Sequence, residues 1–64
     1  MTYGQAAILK ARAAEAEALD VYDRTDTPEA RYAWVLARRK VRRLVEQARA
    51  DALELALASA EVAA

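Results

Sequence analysis

The chain has 64 residues, with ten basic and ten acidic side chains and neither cysteine nor histidine. That composition excludes disulfides, thiolate or imidazole metal sites and a histidine-based triad, while the balanced charge removes the global field that drives non-specific binding to nucleic acid or membrane. The 56% hydrophobic share is inflated by 18 alanines that each bury little area, so a single-layer core is too thin to offset an ordering cost of ~1.5 kcal/mol per residue. Self-association or a partner is therefore expected. No basic segment leads into an apolar run and charges recur every few residues, so neither a secretory signal nor a membrane span is read. The expectation is a cytoplasmic protein with no membrane partner.

Thr2 followed by Gln5 has the spacing of a capping box, which starts helix 1 near residue 3. Asp23 to Thr27 offer side-chain to backbone bonds that compete with helix. Thr27 is a good N-cap, with Pro28 at the first helical position and Glu29 in the first turn. Beyond it the chain holds no Gly or Pro. The expected elements are helix 1 over about 3–23, a loop over about 24–27 and helix 2 over about 28–62, in one domain covering the whole chain.

So short a loop folds the two helices into an antiparallel hairpin, with facing positions summing to about 52. In helix 1 the line Ala7, Ala11, Ala14, Ala18 and Val21 faces inward, flanked by Tyr3, Ile8, Leu19 and Tyr22. In helix 2, Trp34, Val41, Ala48, Leu55 and Val62 recur every seventh residue, interleaved with Ala30, Ala37 and Leu44, which makes a coiled-coil seam. Small residues facing large ones permit close approach. The seam has one fault, Asp51, at the level where helix 1 runs out.

Past that level Leu53 and Leu57 point away from the seam while Leu55 and Val62 stay on it, and a helix apolar on most sides is usually buried on most sides. Nothing in a lone hairpin covers this segment. Leu53, Leu55, Leu57 and Val62 are accordingly the expected self-association residues, in a coiled-coil-like homodimer or four-helix bundle. Residues 31–49 carry seven bases against Glu46, whereas 50–64 carry Asp51, Glu54 and Glu61 and no base. Parallel pairing would stack like charges; an antiparallel pair centred near Ala48 sets Arg42 opposite Glu54 of the other chain.

Arg31, Arg38, Arg42 and Arg49 align within about 40° on the helical wheel and form a stripe beside the seam. It reads first as a solvated face partly neutralised by Glu15, Glu17 and Asp20, and otherwise as a surface for phosphates or for an acidic protein. Glu15 lies inside the apolar stripe near Arg38 or Arg39, where an ion pair across the hairpin is its expected role. Tyr22, Tyr32 and Trp34 cluster at the loop end. Tyr32, about 160° from the seam centre, joins Val35, Leu36 and Arg39 in a second patch, and Tyr32, Trp34 and Leu36 are the candidate anchors for a partner. Ser59 has no base to activate it, and no catalytic, cofactor-binding or metal site is read.

The leading expectation is a non-enzymatic protein-protein interaction module that self-associates through helix 2 and presents its arginine-rich face to a macromolecule, with another protein as a further partner. The alternative is a small nucleic-acid-binding accessory protein using the arginine stripe. A third is an inhibitor or assembly factor from a phage or other mobile element.

Overall fold

The computed structural model of the chain describes the backbone from Tyr3 to Ala63 and the side chains from Tyr3 to Glu61. Two helices, α1 (Tyr3–Thr25) and α2 (Pro28–Ala63), and the turn Asp26 and Thr27 between them make up the described residues. They pack together as a hairpin measuring 57 × 20 × 11 Å. At 1.5 Å per residue α2 alone spans ~54 Å and α1 ~34 Å, so α2 sets the length and outruns its neighbour. The Thr2 half of the expected capping box lies outside the described residues.

The turn is two residues long, shorter than expected, because α1 runs on to Thr25. Two local bonds carry that extra turn. The Thr25 hydroxyl donates to the Val21 carbonyl at 2.7 Å, and the Asp26 N–H donates to the Tyr22 carbonyl at 2.8 Å. Asp26 sits in the left-handed region with φ 48°, which makes it the C′ residue of a left-handed helix cap. The competition from polar side chains thus ends the helix at Asp26 rather than at Asp23, since the hydroxyl bonds backward into the helix instead of away from it.

At the start of α2, Thr27 caps as expected. Its Oγ1 accepts from the Ala30 N–H at 3.2 Å and its carbonyl accepts from the Arg31 N–H at 3.0 Å. Pro28, whose nitrogen has no proton to satisfy, occupies the first helical position.

The seam of α2 is as expected as far as Ala48: Ala30 is buried and Trp34, Ala37, Val41, Leu44 and Ala48 are half-buried. The α1 face differs in part. Ala7, Ala11 and Ala18 of the alanine line face inward as expected, joined by Ile8, Glu15 and Tyr22, while Ala14 and Val21 are exposed, so the inward face is turned part of the way toward the Ile8–Tyr22 line. The reason is at the loop end, where the Tyr22 and Trp34 rings stack with centroids 6.0 Å apart and planes 28° from parallel. An aromatic pair removes far more surface from water than Val21 and Ala14 would. Leu19, expected to flank the seam, is more than a third exposed, and Tyr3 projects almost entirely into solvent.

Two helices side by side form a slab one helix thick, which leaves nearly every described side chain an open flank. Among the described residues only Ala11 and Ala30, at 5% and 8% exposure, count as core. From Arg49 to Glu61 every side chain is exposed. The seam ends at the expected fault, where Gln47 Nε2 donates to Asp51 Oδ1 at 3.0 Å on the outside of the helix.

Candidate functional site

The residues expected to mediate contacts fall into two regions, the overhang of α2 and one broad face of the hairpin. In the overhang Leu53, Leu55 and Leu57 are 62%, 70% and 59% exposed, with no part of their own chain over them. The side chain of Val62, the fourth expected association residue, lies outside the described residues. Acids punctuate this segment at Asp51, Glu54 and Glu61, and no base interrupts it.

On the broad face the arginine stripe is divided in its engagements. Arg38 lies over the Trp34 ring, with its guanidinium carbon 4.8 Å from the centroid, and its Nε is 4.0 Å from Glu15 Oε1. The ion pair expected of Glu15 is therefore present. Arg42 Nε donates to Glu46 Oε1 at 3.3 Å one turn on. Arg31 and Arg49 are exposed on the same flank. Of the other acids expected to neutralise the stripe, Asp20 is paired with Arg24 on its own helix at 3.2 Å, and Glu17 lies on the opposite broad face beside Ala14 and Ala33.

The pairing of α1 with α2 leaves a groove along this face. At the loop end a cleft is walled by Tyr22, Tyr32 and Val35, with Arg31 and Arg39 at its edges. A second cleft shares Val35 and Arg39 with the first and continues past Glu15, Arg38, Val41 and Arg42. One turn beyond, Ile8, Leu9 and Val45 line a third, bordered by Arg12. The floor is apolar and the banks are mostly arginine. Asp26 and Glu15 are the acids that border it.

The expected aromatic cluster is thus split. Tyr22 and Trp34 form the plug, whereas Tyr32 stands 64% exposed at the groove wall and Leu36 is 43% exposed on the outer edge. Trp34, an expected anchor, is covered by Tyr22 and Arg38, and its Nε1 is buried without a hydrogen-bond acceptor among the described residues. It supports the surface rather than forming it. The groove itself was not read from the sequence; the signal available was the spacing Ile8, Glu15, Tyr22, which is a heptad line as regular as the alanine one.

Among the described residues no three acidic side chains gather in a way that could hold a metal ion, and no helix is long and apolar enough to cross a membrane. No protein-family model, curated protein or solved structure matches this chain.

Proposed function

We propose that this protein is a non-enzymatic interaction module that self-associates through the α2 overhang and offers its arginine-bordered face to a macromolecular partner. The observation that carries the reading is the overhang itself: three leucines, each more than half exposed, on a rod that its own chain covers only as far as Ala48. Burying one such side chain contributes about 1.5–3 kcal/mol. Together they rival the whole stability of a domain this small.

Sedimentation equilibrium at micromolar concentration tests the reading. The wild-type chain is expected as a dimer or higher assembly. The double substitution Leu53→Glu and Leu57→Glu is expected to give monomers of about 7 kDa with reduced helicity. A wild-type chain that stays monomeric throughout refutes it.

The engagement of Arg38 and Arg42 with Glu15 and Glu46 of their own chain lowers the free positive charge of this face and weighs against a phosphate backbone as its partner. The nucleic-acid alternative makes a separate demand: duplex binding whose affinity falls steeply with salt and that is lost when Arg31 and Arg49 are replaced by Glu.

A further inference from the structure

We propose that the arginine-bordered groove between α1 and α2 is the receptor for the overhang of a second copy, which lies in it antiparallel to α2. This inference rests on the self-association reading above, takes the partner that meets the arginine-bordered face to be the acidic overhang of a second copy, and adds the direction and the register. Four features of the molecule select this occupant.

The first is charge. The groove is edged by Arg31, Arg38, Arg39 and Arg42 at one end and Arg12 at the other, five bases against the two acids Asp26 and Glu15. The overhang carries Asp51, Glu54 and Glu61 with no base. The opposite broad face, which presents Glu17 among alanines, would repel the same segment.

The second is length. The groove runs from the level of Tyr32 to that of Val45 along α2, ~20 Å at 1.5 Å per residue. The described overhang from Arg49 to Ala63 covers ~22 Å by the same rise, enough to span the groove.

The third is reach. Because α2 is one continuous helix, its overhang points directly away from its own groove. A rod of this kind cannot fold back, and only a second chain can deliver the segment.

The fourth is symmetry. When the overhang of one chain lies on residues 32–45 of the other, the reciprocal contact forms automatically about a twofold axis near residue 47. Such an interface uses the same patch twice and closes. An amphipathic helix laid in an apolar groove is a recurrent mode of recognition, and here the groove and its ligand are parts of one chain.

Charge reversal tests the assignment. Arg31→Glu with Arg39→Glu alters exposed side chains off the seam, and Glu54→Arg with Glu61→Arg alters the overhang. Each doubly substituted chain is expected to self-associate at least about tenfold more weakly than wild type, equivalent to ~1.4 kcal/mol, with its far-ultraviolet spectrum still helical. An equimolar mixture of the two is expected to recover wild-type affinity, because each groove then meets an overhang of opposite sign.

The register has its own readout, since the chain has no native cysteine. With a short bismaleimide, Arg49→Cys is expected to cross-link to itself across the twofold axis, and Ser59→Cys is not. Cross-linking of Ser59→Cys to itself indicates parallel or tail-to-tail pairing and overturns the groove assignment while self-association stands. A dimer whose affinity ignores both charge reversals overturns it likewise. A wild-type chain that is monomeric removes the self-association reading and this inference with it.

Discussion

At Asp26 the backbone enters the left-handed region, a conformation that costs an L-residue energy and that glycine adopts freely. Asp is among the side chains that tolerate it best, which is why a chain with its single glycine at position 4 still makes a two-residue turn. Asp26→Gly is expected to stabilise the hairpin by about 0.5 kcal/mol, the relief of strain being partly offset by a freer unfolded chain. Thr27→Ala acts in the opposite direction. It removes the hydroxyl that accepts from the Ala30 N–H and is expected to cost ~1 kcal/mol. For a chain of this size these are shifts of a few degrees in opposite directions in thermal melts followed by circular dichroism.

The second helix is one element with two environments. Up to Ala48 its seam is covered by α1; beyond, helix formation depends on propagation from an existing turn and on the good intrinsic propensity of Ala, Leu and Glu. Propagation without tertiary cover leaves the last turns free to fray. The overhang is expected to be firmly helical only when docked, so the ellipticity at 222 nm should fall on dilution through the dissociation range, by no more than about a quarter. A larger loss would mean that the hairpin itself needs its partner. No change, in a sample shown by sedimentation to dissociate, would mean that the overhang holds its helix unaided.

For the molecule as a whole, a slab with Ala11 and Ala30 as its core has little stability to lose. Association and folding are then linked by mass action. The melting temperature is expected to rise by about 4 °C for each tenfold increase in protein concentration. One molar salt should weaken but not abolish association, since screening removes the arginine–carboxylate attraction and leaves leucine burial intact. A melting temperature constant over a hundredfold concentration range would contradict both the thin core and the proposed dimer.

What the sequence determined alone was set by local chemistry or by repeat spacing, although the local bonds of Thr25 and Asp26, which carry α1 two residues further, read in the sequence as ending it. Thr27, Pro28 and Glu29 mark the start of α2 through groups within one turn of each other, and the heptad from Ala30 to Ala48 marks its inward face. The short turn fixes the antiparallel pairing, so the meeting of Glu15 with Arg38 and the end of the seam at Asp51 were legible as well. The tertiary structure decided what depends on competition between faces. Helix 1 carries two overlapping candidate stripes, Ala7 to Val21 and Ile8 to Tyr22, and its inward face takes Ala7, Ala11 and Ala18 from one and Ile8, Glu15 and Tyr22 from the other. Trp34 decides between Tyr22 and Val21, because stacking on Tyr22 excludes more water than contact with Val21 could, and Tyr22 with Tyr32 and Val35 then walls the groove.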